Sequence, residues 1–128
     1  MKRRCLQISV VLMLASLVGC AAAITRENLL QNMQERPAPL IVDVRSRGEY
    51  EQDHIAGAVH VPFYAIGSGL KQRGVSKKDT VVVYCEHGPR AALAGMTLYF
   101  SGYERIFSLE GHMQGWRAKG LPMEKGAK

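Results

Sequence analysis

The run Thr80-Val81-Val82-Val83-Tyr84 does most to limit what this chain can fold into. It is β-branched and aromatic throughout, too short for a helix, and lacks the alternation of a half-exposed strand. It therefore reads as a strand buried on both faces, the kind found inside parallel sheets. A short loop, Cys85-Glu86-His87-Gly88-Pro89-Arg90, follows at once. Pro89 or Arg90 then opens a helical pattern to Ser101, with Gly102 placed to close it. The inner part of that helix, Ala91-Ala92-Leu93-Ala94-Gly95-Met96, is apolar nearly all round, so the helix is expected to be largely buried.

The rest of the chain repeats this strand–helix alternation. Leu40-Ile41-Val42-Asp43-Val44 and Arg105 to Leu109 read as further buried strands, and Ala58 to Val61 as a brief one stopped by Pro62. Thr25 can cap a helix through Leu29, Leu30 and Met33 to about Arg36. Ser46-Arg47-Gly48-Glu49 is a capping box. Leu70 to Arg73 can make a turn or two of helix, and Met113 to Lys119 a last short one, with Trp116 expected in the core. The expectation is one α/β domain over residues 25–122: a central parallel sheet, helices on both faces and Thr80 to Tyr84 in the middle. Residues 123–128 read as a tail.

The N-terminus has a different character. Lys2, Arg3 and Arg4 precede an apolar run from Ile8 to Val18 broken only by Ser9 and Ser16. This reads as a secretory signal over residues 1–19, short of the roughly 18 to 20 apolar residues that a spanning helix needs. Leu17-Val18-Gly19-Cys20 resembles the bacterial lipoprotein box. The resemblance implies cleavage before Cys20, lipidation of its thiol and a periplasmic domain tethered to a membrane through residues 20–24. Cleavage near Ala21 to Ala23, giving a soluble periplasmic product, is the alternative. The three N-terminal basic residues also account for much of the formal charge of +6. The remaining mild excess is no argument for nucleic acid as a partner. Of the three cysteines, Cys5 leaves with the signal and Cys20 is lipidated or removed. Cys85 remains as a lone thiol, so no internal disulfide can form.

In such sheets, sites form at the carboxyl ends of strands, where Cys85 stands. N–H groups of the loop and first helical turn can converge on its sulfur as an anion cradle. The helix N-terminus and Arg90 both favour thiolate, so the pKa should fall below the roughly 8.5 of a free thiol. Gly88 permits a backbone conformation that a side chain resists. Asp43 and Arg45 sit at a neighbouring strand end; with Glu49 they read as a local ion pair and cap rather than as catalysts. His54 and His60 read as structural polar groups. With no Cys-x-x-Cys or His-x-x-x-His pattern, no metal is expected. No glycine-rich loop follows the first strand, so no nucleotide cofactor is expected.

Tyr84-Cys85-Glu86-His87-Gly88-Pro89-Arg90-Ala91 resembles the active-site loop of rhodanese-like domains. Asp43-Val44-Arg45 through Glu49-Tyr50 to His54-Ile55-Ala56-Gly57-Ala58-Val59-His60-Val61-Pro62 resembles the family's N-terminal signature. Gly102-Tyr103 through Leu109-Glu110-Gly111 to Gly115-Trp116 resembles its C-terminal one. The resemblance implies a sulfurtransferase. Cys85 would take sulfur from a small anionic donor such as thiosulfate, carry it as a persulfide, and lose it to cyanide or to a thiol, a protein thiol included. Related phosphatases hold one residue more between Cys and Arg than the four here, Glu86 to Pro89. The smaller ring resembles the sulfur-carrying version. Phosphatase or arsenate-reductase chemistry, a carrier module without turnover and a thiol redox protein are the alternatives. The family often has Gly-His-Ile where Asp53-His54-Ile55 stands, and Gly-Gly where Gly111-His112 stands. By the family's layout His112 lies near the mouth of the site, and it reads as standing in for a tolerant glycine more than as a substrate contact. Glu86 and His87 vary in the family and are expected to shape donor preference. His87 as general base is a further reading. Glu86 is expected to turn away from the thiolate.

Overall fold

A computed structural model of the protein describes residues 21–127. The expected signal segment, Cys20 and Lys128 lie outside the described residues. Among the described residues, seven strands and five α-helices follow in order. They are β1 (Ala22–Ile24), α1 (Arg26–Asn32), β2 (Leu40–Asp43), α2 (Arg47–Gln52), β3 (His54–Ile55), β4 (Val59–His60), α3 (Ile66–Gln72), β5 (Thr80–Tyr84), α4 (Pro89–Phe100), β6 (Arg105–Leu109), α5 (His112–Ala118) and β7 (Met123–Glu124).

Five strands form one sheet in the order β1-β6-β5-β2-β4, and every pairing in it is parallel. The expected central position of Thr80–Tyr84 holds, with Val82 opposite both Ile41 and Phe107. Alternate residues of β5 feed two cores, as the period of two requires. Val81 and Val83 pack with Ile66 and Leu70 of α3 and with Ala91, Ala94 and Leu98 of α4. Val82 and Tyr84 pack with Leu29 of α1 and with Met113 and Trp116 of α5. Trp116 is fully buried, and its Nε1–H donates to the Pro122 carbonyl at 3.0 Å. Burial of each such large side chain contributes roughly 1.5–3 kcal/mol.

The helix starts follow their chemistry. Thr25 Oγ1 accepts from Asn28 N–H, and Ser46 with Glu49 completes the capping box. Several expectations are corrected. Residues 22–24, read as part of a tether, form an edge strand, with Ala22 opposite Phe107 and Ile24 opposite Leu109. The tail contains β7, which pairs antiparallel with β3. The first helix stops at Asn32 rather than Arg36. The third begins at Ile66, after a 3-10 turn at Phe63–Ala65. Gly69 lets α3 pack closely: a Cβ there would overlap the Val61 side chain. Finally, α4 is buried on one face only. Ala91, Ala94, Gly95 and Leu98 face inward, while Leu93, Met96, Tyr99 and Phe100 are exposed.

Candidate active site

Cys85 ends up where strand, loop and helix chemistry combine to put it. β5 delivers it to the carboxyl edge of the sheet, and its carbonyl is held by Met113 N–H at 2.9 Å. The loop then turns on Gly88, whose φ of 131° is open to glycine and closed to most side chains. A Cβ at Gly88 would also come within 3.2 Å of His112 Nε2. That turn aims the Gly88 N–H at Cys85 Sγ, 3.0 Å away. The Ala91 N–H, in the first turn of α4, is a second backbone donor to the sulfur. The thiol is 1% exposed. Its surroundings are thus backbone dipoles in place of water, an arrangement suited to an anion.

His112 stands beside the thiol and the Gly88 turn. It opens α5 with φ 51°, the one non-glycine residue with positive φ among the described residues. That left-handed backbone fits a position where glycine is ordinary. The ring does more than fill space, however. Its Nδ1 accepts the Cys85 N–H at 3.3 Å, and it lies against the sulfur as well. Burial alone would raise the Cys85 pKa. A hydrogen bond with His112, the Ala91 and Gly88 N–H groups and the field of His112 outweigh burial and bring it from 9.0 to about 7.

Arg90 was expected to supply a full positive charge to the thiolate. Instead its guanidinium is gripped by both oxygens of Glu49, at 2.7 and 3.0 Å. The thiolate is a secondary influence on Arg90, after Glu49. Glu49 therefore reaches across to the loop rather than pairing with Arg45. The Arg90 hydrogen bond, against the opposing effect of burial, holds its carboxyl at about 2.

Asp43 and Arg45 do form the expected pair, fully buried, with Nη2 2.9 Å from Asp43 Oδ2. The Arg45 backbone N–H also donates to Asp43, as does the Tyr84 hydroxyl at 2.9 Å. Arg45 Nη1 continues to Glu86 Oε1 at 3.1 Å. Glu86 is shared with Arg117, which also binds both oxygens of Asp53. The Arg117 hydrogen bonds, against burial, lower the pKa of Glu86 and of Asp53. Glu86 is thus taken up by two guanidinium groups. His87 Nδ1 lies 2.8 Å from Gln114 Oε1, which ties the outer loop to α5. His54 stacks on Tyr50 with its Nδ1 2.7 Å from the Tyr50 carbonyl, and His60 Nε2 lies 2.7 Å from the Arg45 carbonyl. Both histidines hold backbone rather than facing the thiol. Among the described residues no cluster of His, Cys, Asp or Glu is placed to hold a metal ion.

Arg117, Gln114 and the Glu49–Arg90 pair were missed by the sequence reading. All three join residues distant in sequence, and no local pattern signals them. The thiol gives a direct check. Alkylation of Cys85 should speed up as pH rises, with a midpoint near 7. His112→Gly should keep the backbone at ease and move that midpoint up by about one unit. A midpoint unmoved in the variant would remove His112 from the account of the thiolate.

The rhodanese-like domain model matches residues 26–119. A sulfurtransferase of Allochromatium vinosum is 32% identical over 100 residues, covering 78% of this chain and 92% of that protein. The thiosulfate sulfurtransferase GlpE of Coxiella burnetii is 32% identical over 79 residues, covering 62% of this chain and 72% of that one. Among solved structures, the Alr3790 protein from Anabaena superposes with a TM-score of 0.74 at 27% identity, over 80% of this chain and 81% of its own. The family match runs from the first turn of α1 past the end of α5 and takes in every element that frames Cys85. The chain belongs to the rhodanese-like domain family.

Proposed function

We propose that this protein is a sulfurtransferase that carries sulfane sulfur on Cys85. The observation that carries the reading is the setting of the sulfur: nearly sealed from solvent, met by the Gly88 and Ala91 N–H groups, and with a pKa lowered to about 7. A thiolate held this way is a nucleophile at neutral pH, and the same donors stabilise a persulfide anion. In the first half-reaction the thiolate attacks the outer sulfur of thiosulfate. The sulfur–sulfur bond breaks, and sulfite leaves with its electron pair. In the second, cyanide or an acceptor thiolate attacks the outer sulfur of the persulfide and takes it away, and Cys85 leaves as thiolate again. No redox cofactor is needed for the balance. The names of the relatives from A. vinosum and C. burnetii support the reaction class.

The N-terminal pattern supports export and lipidation at Cys20, with the domain held at a membrane on the periplasmic side. Incubation with thiosulfate should add the mass of one sulfur atom to the peptide containing Cys85, and cyanide should strip it as thiocyanate. A thiosulfate-treated protein with unchanged mass would overturn the proposal. An adduct that cyanide leaves in place would replace turnover with a carrier role.

A further inference from the structure

We propose that the outer face of α4 is seated on the bilayer that holds the lipidated Cys20, so that the domain docks on the membrane rather than swinging from a leash. The inference rests on the lipoprotein reading of the N-terminus and adds a surface and an orientation to it.

Three observations carry it. First, α4 is apolar on both faces, although only one is covered. Its outward side presents Leu93, Met96, Tyr99 and Phe100, the last 77% exposed, beside Tyr64 at 80%. Leu93, Met96 and Phe100 share one shallow depression with Tyr64, and Tyr99 borders another with Ala22. No charged residue stands between Arg90 and Glu104. An exposed apolar patch of this extent marks an interaction surface. Tyr and Phe beside Leu and Met suit the boundary between headgroups and acyl chains.

Second, the residue that follows Cys20 is already packed beside α4. Residues 22–24 of the expected tether are the strand β1, locked to β6. Ala21 is partly buried in the core beside α4. A Cβ added at Gly95 would lie 3.4 Å from the Ala21 Cβ. Cys20 therefore attaches to a residue already lying along the membrane-facing helix. A lipid there holds this side of the domain against the headgroups. A partner with a different geometry would have to compete with a bilayer brought there covalently.

Third, the orientation leaves the chemistry open. β1 runs parallel to β5 and β6, so the chain followed back from Ala22 heads toward the amino ends of the strands. Cys85 lies at the carboxyl ends. The loop sits at the start of α4, about 15 Å along the helix from Phe100, where a soluble anionic donor can reach it.

The test uses the full chain, expressed in a bacterium that processes lipoproteins and reconstituted in phosphatidylethanolamine–phosphatidylglycerol vesicles. Intact mass first establishes whether Cys20 carries lipid. Hydroxyl-radical footprinting then compares two methionines in the same molecule. Met96 on α4 and Met123 on β7 are similarly exposed, 45% and 40%, and should oxidise comparably unless one is covered. The expected result is a several-fold lower yield at Met96, with Phe100 protected alongside it. In the lipidated Leu93→Asp/Phe100→Asp variant Met96 should return to parity with Met123. Lipid on Cys20 with Met96 and Met123 oxidised alike would overturn the docking surface while leaving the anchor standing. An unlipidated Cys20 would overturn both. Protection that fades as the protein is diluted across more vesicle lipid would assign the face to a second copy of the chain and overturn the proposal.

Discussion

Cys85→Ser is expected to lower sulfur transfer by roughly a thousandfold or more and to abolish the sulfur adduct. The reason lies in what the site stabilises. The Gly88 and Ala91 N–H groups and His112 bring the thiol to about pH 7, where a useful fraction ionises. A serine hydroxyl would meet the same donors, but its ionisation lies far higher, and oxygen forms no counterpart of a persulfide under these conditions. The fold should tolerate the change. The side chain is small, and a hydroxyl can use the donors already aimed at the sulfur, so the stability change should be about 1 kcal/mol or less. Denaturant midpoints checked beside the activity separate the two effects. Arg90→Ala should be milder, roughly tenfold. Glu49 neutralises much of that guanidinium, and the backbone donors survive its loss. A Ser variant that still transfers sulfur at the parent rate would exclude Cys85 as the carrier.

Local pattern reaches some parts of this molecule and stops at others. The β5–loop–α4 unit was legible because each part has its own short-range cause: three valines for a strand buried on both faces, glycine for a positive φ, proline for a first helical turn. The Ser46–Glu49 capping box was legible for the same reason. The edges of the sheet were not. Ala22–Ile24 has no strand pattern of its own. It is a strand because β6 offers an open edge, which is a property of the fold and not of three residues. His54–Ile55 and Met123–Glu124 are two residues each and are defined only by pairing with one another. In α4 an apolar sequence suggests burial all round, but burial needs a partner, and the fold supplies one on a single side. At the site, the thiol and its backbone cradle follow from neighbouring residues. The identity of the charged partners does not. Glu49 lies closer in sequence to Arg45, yet it pairs with Arg90, because Arg45 is already filled by Asp43, Glu86 and the Asp53 carbonyl.

That saturated arginine leads to the largest expected stability effect. Arg45 is 2% exposed and Asp43 fully buried. Burial works against the Arg45 charge, but hydrogen bonding and attraction to Asp43 overcome it and raise its pKa further. Arg45→Met fills much of the volume but strands the Asp43 carboxylate in the core with the Tyr84 hydroxyl and the Arg45 backbone N–H as remaining donors. Breaking a buried pair from one side costs about 3–5 kcal/mol, a large share of the roughly 5–15 kcal/mol that holds a domain folded. A denaturant midpoint shifted by that amount at unchanged slope is the expected result. The double variant Asp43→Asn/Arg45→Met should lose less than the two single losses combined, because it removes the stranded charge as well as its partner. Arg45 also joins the end of β2 to Glu86, the residue after Cys85, so without it Glu86 keeps only Arg117. A loss below about 1 kcal/mol would mean that the Asp43–Arg45 pair is as dispensable as a surface bridge, and that the β2 end is held by packing alone.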